Sequence, residues 1–226
     1  MIIYGKQVVV HAATHHPDRV ECLYLAKEVE PPLFKQLSRC GARIERVDPK
    51  KAQAMARGGN HQGMLAKITQ LEFATPATLE EAAFIVMTVG VSDMGNLGAI
   101  VRSAWALGAE AVAIGALASP NLAALVRTSS GAALDMPLIN AHKPMELIGW
   151  LKQRGFSVVG ATLKGQSHRQ LRIDGKRLLV LGAEGEGLPG RIERALDQTV
   201  TIEMAHRFDS LNVAAAAAIL IDRMRP

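Results

Sequence analysis

Four short runs are almost unbrokenly apolar: Phe84-Ile85-Val86-Met87, Ala111 to Ile114, Phe156 to Val159 and Leu178 to Leu181. A strand with one wet face alternates apolar and polar residues, whereas a strand apolar at successive positions is covered on both faces. Separated by helical segments, such runs specify a parallel sheet with helices on either side. The expected fold class is therefore α/β.

The first third is patterned differently. Ile2-Ile3-Tyr4 is strand-like, and Gly5 to His16 reads as a helix stopped by Pro17. Val20 to Leu25 and Ala42 to Val47 read as strands, with a helix between them opened by Pro31-Pro32 and ended by Gly41. Asp48-Pro49 supplies an N-cap followed by proline at the first helical position, Gly58-Gly59 stop that helix, and Met64 to Thr69 is a last strand. The division expected is a small α/β domain over 1–73, a linker over 74–82 containing Thr75, Pro76 and Thr78, and a larger α/β domain over 83–226.

A chain of 226 residues can bury about 70% of its surface without a covalent staple. Cys22 and Cys40 are its two cysteines, too few for a disulfide framework or a four-cysteine zinc site. The longest unbroken apolar stretch, Val213 to Ile221, is far short of the roughly 20 residues of a membrane helix. Met1 leads directly into strand-like sequence with no secretory segment, so the expected compartment is the reducing cytoplasm. Residues 1–73 hold eleven Lys/Arg against seven Asp/Glu and so carry most of the net charge of +5. A basic module on a near-neutral body suggests RNA or DNA as partner, although charge alone equally fits a solvated basic surface.

Three segments follow predicted strands of the second domain, at the edge where open parallel sheets bind ligands. The first is Gly90 to Ala104: Asn96 sits at a helix start as a candidate cap, Leu97, Ile100, Val101, Ala104 and Gly108 form an apolar stripe, and Arg102 points away from it. The second, Leu178 to Pro189, runs from a buried strand into a glycine loop bearing Glu184 and Glu186. Its spacing is G-x-x-G-x-G, which is not a dinucleotide fingerprint, and no G-x-x-x-x-G-K-[ST] phosphate loop occurs anywhere in the chain. The third, Thr201 to Val213, leads into five alanines and Ile219-Leu220-Ile221. Ser210 is a natural N-cap there, and a helix apolar all round calls for cover on every side, from a partner subunit or from wrapped chain.

Together these segments resemble the SpoU/TrmH family of RNA 2′-O-ribose methyltransferases. The family's N-L-G-A-I-x-R-[ST]-A stretch is matched at Asn96 to Ala104, its L-G-[SA]-E-G-x-G-L loop at Leu181 to Leu188, and its I-x-M-x(5)-S-L-N-V helix start at Ile202 to Val213. Tyr4-Gly5 and His61-Gln62-Gly63 look like the small ribosomal-protein-like RNA-binding domain of the branch that methylates a guanosine ribose in bacterial 23S ribosomal RNA. Two stretches depart from the usual pattern: D-P-H-N is Asp93-Met94-Gly95-Asn96, and I-P-M-A-G is Ile202-Glu203-Met204-Ala205-His206.

The resemblance implies a SPOUT α/β domain whose C-terminal segment threads a loop as a trefoil knot, a topology that ordinary connection rules would not suggest. It implies S-adenosylmethionine as methyl donor, no metal, an RNA substrate and a homodimer formed through helices by the active site. Arg102, Asn96, Glu184, Ser210 and Asn212 match family active-site positions. Gly182, Ile202, Met204, Leu211 and Thr162 fall where the donor would bind. Arg102 is then a proton acceptor, a phosphate clamp or a stabiliser of the developing alkoxide; arginine normally stays charged. Alternatives are a tRNA ribose methyltransferase, a resistance-type ribosomal RNA methyltransferase, or a non-catalytic RNA-binding assembly factor.

Two further features stand outside these motifs. His11 and His15 lie one helical turn apart and Cys22 follows, but a fourth metal ligand is lacking, so solvated or RNA-facing histidines are expected. Arg127, before Thr128-Ser129-Ser130-Gly131, is placed either for phosphate or as an exposed helix-end arginine.

Overall fold

The computed structural model describes residues 1–207 and 209–225. In chain order the elements are β1 (Ile2–Tyr4), α1 (Lys6–His15), β2 (Val20–Leu25), α2 (Pro31–Ser38), β3 (Arg43–Arg46), α3 (Pro49–Met55), β4 (Met64–Ile68), β5 (Phe84–Val89), α4 (Met94–Ala106), β6 (Ala111–Gly115), α5 (Leu122–Thr128), β7 (Leu138–Ala141), α6 (Pro144–Lys152), β8 (Ser157–Ser167), β9 (Arg177–Gly182), α7 (Gly190–Glu193), β10 (Gln198–Thr201) and α8 (Val213–Met224). They form two compact units, Met1–Glu72 with Asn121–Asp135, and Phe73–Pro120 with Met136–Pro226.

The first unit carries a four-stranded sheet in the order β1-β4-β2-β3. β4 runs antiparallel to both β1 and β2, and β2 runs parallel to β3. Pro31 and Pro49 each open their helix, because a fixed φ and a missing N–H are harmless in the first turn. Asp48 caps α3 by accepting from the Lys50 and Lys51 N–H groups at 2.9 and 3.0 Å. The excursion Asn121–Asp135, which the sequence reading assigned to the second domain, packs here. It brings the buried residues Leu125, Val126 and Ala132–Leu134. Arg127 lies 5.3 Å from the centre of the Tyr4 ring, a cation–π contact that gives it a packing role.

The second unit is built on a six-stranded sheet in the order β10-β8-β9-β5-β6-β7. Every pairing in it is parallel, as the apolar runs require. All six residues of the central β5 are buried, and each large aliphatic among them contributes about 1.5–3 kcal/mol. Glu110 accepts from the Ala83 and Phe84 N–H groups at 2.6 and 2.9 Å, fixing where β5 begins. The short strands β7 and β10 were not expected from the sequence, and β8 runs eight residues beyond Val159. β8 pairs with β10 at Val159 and Gly160, then again at Gln166 and Ser167, so residues 161–165 loop out of the ladder. Gly160 lies against Leu196, whose nearest atom would stand 2.2 Å from an added Cβ.

The C-terminal helix α8 packs on α4. Its Arg223 donates to the carbonyls of His168, Arg169 and Leu171 at 2.9, 3.1 and 2.7 Å, tying the helix to the segment that follows β8. No described helix is long and apolar enough to cross a membrane.

Candidate active site

Local capping decides where the motif side chains stand. Asp93, not Asn96, caps α4: its Oδ1 accepts the Asn96 N–H at 2.7 Å, which leaves the Asn96 side chain half-buried in the first turn and free of that duty. Leu97, Ile100, Val101 and Ala104 are buried as the stripe requires, while Gly108 lies beyond the helix end at φ 84° and is exposed. Arg102 is exposed on α4, six residues after Asn96 and so about 120° round the helix from it. Likewise Asn212, not Ser210, caps α8, its Oδ1 accepting the Ala214 N–H at 2.9 Å.

The glycine loop closes on itself. The Gly187 N–H donates to the Ala183 carbonyl at 2.9 Å, and Gly185 and Gly187 take φ of 83° and 69°, a region costly to residues with a Cβ. A Cβ on Gly182 would stand 2.3 Å from the Gly187 backbone. All three glycines are thus required by the turn alone. The turn projects Glu184 and Glu186 outward, both exposed.

The three motifs converge on one amide. Asn212 Nδ2 donates to Asn96 Oδ1 at 2.9 Å and, more weakly, to Glu184 Oε2 at 3.4 Å. The side chain that caps α8 therefore ties the first turn of α4 to the glycine loop after β9, across 116 and 28 residues of sequence. An amide has two N–H donors and one carbonyl, so all of Asn212's donors are committed to holding these elements together. Glu203, a departure from the family pattern, accepts from the Ser167 hydroxyl at 3.0 Å, which ties it to the end of β8.

The residues expected to hold the donor sit near the carboxyl edge of the same sheet. Gly182 ends β9, Ile202 and Met204 follow β10, and Leu211 precedes α8; all four are half-buried. Residues 202–207 belong to no helix or strand, so no ladder occupies their backbone groups. Thr162 lies in the looped-out part of β8, half-buried, its hydroxyl donating to the Lys164 carbonyl at 2.8 Å. Ser210 is exposed. Phe208, inside the third motif, falls outside the described residues. Asp93 is not among the candidates that the sequence motifs name; its signal is the Asp-x-x-Asn spacing of an N-cap three residues before a polar side chain.

Known proteins match over nearly the whole chain. The profile of the SpoU rRNA Methylase family matches residues 83–222, and that of RNA 2′-O ribose methyltransferase substrate binding matches residues 2–74. A 23S rRNA (guanosine-2′-O-)-methyltransferase, RlmB, from Yersinia pestis is 31% identical, the alignment covering 97% of this chain and 94% of the relative. The SpoU methyltransferase AviRb from Streptomyces viridochromogenes, solved in complex with AdoMet, superposes with a TM-score of 0.79 at 22% identity, covering 99% of this chain and 88% of that one. An AdoMet-bound rRNA methyltransferase from Sinorhizobium meliloti superposes with a TM-score of 0.78 at 24% identity, covering 98% and 85%. With all three motifs meeting at Asn212 and both profiles matched in order, this chain belongs to the SpoU rRNA methylase family.

Proposed function

We propose that the chain is an S-adenosylmethionine-dependent methyltransferase that forms 2′-O-methylguanosine in 23S ribosomal RNA. The observation that carries this reading is the meeting of Asn96, Glu184 and Asn212 from three distant motifs, in a chain that shares 31% identity with an RlmB over 97% of its length.

The residues present suit the donor. Ile202, Met204 and Leu211 offer half-exposed apolar surface, while Gly182 and residues 202–207 offer backbone groups for the polar edge of an adenosine. Bound there, S-adenosylmethionine supplies an electrophilic sulfonium methyl. Methylation of a ribose 2′-oxygen would release S-adenosylhomocysteine and pass the hydroxyl proton to solvent water. A ribose hydroxyl is a poor nucleophile, so positioning and charge stabilisation carry much of the rate. Arg102, exposed and cationic, clamps the RNA phosphate or stabilises the developing alkoxide; its charge makes it a poor base. Asn96, Glu184 and Asn212 are positioning residues that hold α4, the glycine loop and α8 in register. Ser210, exposed before α8, is placed to contact RNA.

The basic domain over 1–73 supplies RNA affinity, and the domain over 83–226 supplies chemistry. Trp105 on α4 and Ile219 on α8 are 47% and 38% exposed, and Ala106 and Ala215 beside them are exposed too. These exposed apolar side chains on two helices that pack together support a homodimer in which a second copy covers them. The trefoil knot of the family and a cytoplasmic location belong to the same reading. Mapping 2′-O-methyl marks in ribosomal RNA and tRNA from cells with and without the gene tests it. Loss of one 2′-O-methylguanosine from 23S RNA is the expected result; loss from tRNA alone would reassign the substrate, and no loss anywhere would refute the activity.

A further inference from the structure

The first unit holds a side-chain cluster that methyl transfer does not use. His11 Nε2 lies 2.7 Å from Asp135 Oδ2, and His16 Nε2 lies 2.8 Å from Asp135 Oδ1. The ligand atoms of the three all fall within 4.8 Å of one another. The carboxylate is 14% exposed and the two imidazoles 26% and 18%, so all three are partly shielded yet still reachable by water.

The local sequence builds this arrangement. In one continuous helix, residues five apart point about 140° away from each other, so His11 and His16 could not share a ligand. Pro17 disfavours the helical region for the residue before it. His16 accordingly leaves α1 at φ −133° and ψ 51°, and its ring returns to the side of His11. On the opposing segment, Gly131 sits at φ 100° with its backbone against the His11 ring; an added Cβ would stand 2.7 Å from Cδ2. That close approach brings Asp135, which ends the 3-10 turn Ala132–Leu134, up to both rings. His15 stacks beside His11 with ring centres 4.7 Å apart and lies outside the trio.

We propose that His11, His16 and Asp135 bind one transition-metal dication of the zinc class, clasping the excursion Asn121–Asp135 to α1. Two imidazoles and a carboxylate suit zinc, with water in the fourth tetrahedral position. Ligand atoms about 2.0–2.1 Å from a tetrahedral zinc stand about 3.3 Å apart, so each histidine–carboxylate distance opens by roughly half an ångström. Each Nε2 faces one carboxylate oxygen at hydrogen-bond distance. Metal binding requires the Nε2 lone pair of each ring, so a ring proton must then sit on Nδ1. Asp135 is 124 residues from His11, and no local spacing in the sequence announces it.

The test uses the full chain, stripped with a chelator and titrated with Zn²⁺ against a chromogenic competitor. One equivalent should bind, and at a hundredfold excess over Kd the folded-to-unfolded ratio should rise about a hundredfold. His16→Gln and Asp135→Asn should each weaken binding by at least tenfold, the range that even outer partners of a metal site reach. Should either variant misfold, X-ray absorption on the zinc-loaded wild type decides: two imidazole nitrogens with oxygen support the site, and sulfur from Cys22 or Cys40 in the shell overturns it. No binding up to millimolar Zn²⁺, or binding untouched by both folded variants, also overturns it. None of these outcomes depends on methyl transfer.

Discussion

In the first unit, Gln62 spends its side-chain carbonyl on the Lys6 N–H at 2.9 Å, in the first turn of α1, where Gly5 has no side chain to offer. In the second, Asn212 spends its amide hydrogens on two other side chains, Asn96 and Glu184. Both residues belong to motifs by which the chain resembles its family, yet their work differs. Tyr4-Gly5 and His61-Gln62-Gly63 are joined by backbone demands: the Gly5 N–H donates to the Met64 carbonyl, the Gly63 N–H to His61 Nδ1, and Gly59 lies so close to Tyr4 that an added Cβ would meet its hydroxyl. The Asn96–Asn212–Glu184 bonds satisfy almost no backbone; apart from the Ala214 cap, they join exposed or half-buried side chains of three elements. Motifs of the first kind mark a fold, and motifs of the second kind mark the site proposed above.

The two kinds of motif differ most at Arg102 and Leu211. Arg102→Ala should lower methyl transfer by about 10²–10³-fold, the usual cost of one donor to developing charge. Donor affinity by calorimetry and melting temperature should stay near wild type, because the residue is exposed and off the buried stripe. Leu211→Asp should abolish donor binding in the same calorimetric titration, since it sets a charge in an apolar lining. Turnover within a few-fold of wild type in the first variant, or unchanged affinity in the second, would remove those residues from the site.

Asn212 permits a finer cut. Asn212→Asp keeps an oxygen to cap Ala214 but loses the Nδ2 donors and faces Glu184 with a like charge, so stability should hold while activity falls at least tenfold. Asn212→Ala should lose the cap as well, costing about 1 kcal/mol in urea unfolding. Gln62→Ala should show the opposite balance: a stability loss of about 0.5–1.5 kcal/mol with activity per folded molecule preserved. Equal activity losses in Gln62→Ala and Asn212→Asp would erase the distinction between the two kinds of motif.

Much of this was legible in the sequence, and the exceptions have identifiable causes. The helices opened by Pro31 and Pro49 and the apolar strand β5 were readable because proline and unbroken apolar runs act locally. β7 and β10 were not, because Leu-Ile-Asn-Ala and Gln-Thr-Val-Thr carry polar residues and offer no unbroken apolar run. The motif residues were named, but not that Asn212 joins Asn96 to Glu184, a fact that only folding across 116 residues creates. The two caps were misplaced for one reason: where several polar residues cluster before an apolar helix, as Asp93 and Asn96 or Ser210 and Asn212 do, spacing alone does not choose among them. Nor did composition show that Asn121–Asp135 packs with the first unit. A fragment beginning near Glu80 would strip the buried Leu125, Val126 and Leu134 of their cover, so RNA affinity is better probed by point changes in the full chain. Lys6→Ala or Arg57→Ala should each reduce the salt slope of RNA binding by about 1 if the residue meets a phosphate.

The smallest effect concerns Asp197. Burial works to raise its carboxyl, but the Lys152 ammonium at 2.6 Å and the Val158 N–H at 2.8 Å outweigh burial and hold it below the ordinary carboxylate range. A depressed folded-state pKa contributes stability that is fully present above the unfolded value of about 3.9 and lost as pH falls through the folded one. Asp197→Asn should therefore flatten the acid limb of a stability–pH curve while leaving methyl transfer unchanged.

Methylation of a guanosine ribose at the Asn212-centred site is the activity we propose. Purified full-length chain, unmodified 23S RNA and methyl-labelled S-adenosylmethionine, followed by nucleoside mass spectrometry, test it directly. Label is expected in 2′-O-methylguanosine from the wild type, with almost none from Arg102→Ala. Label in a base, or no label from a protein that binds both donor and RNA, would contradict it.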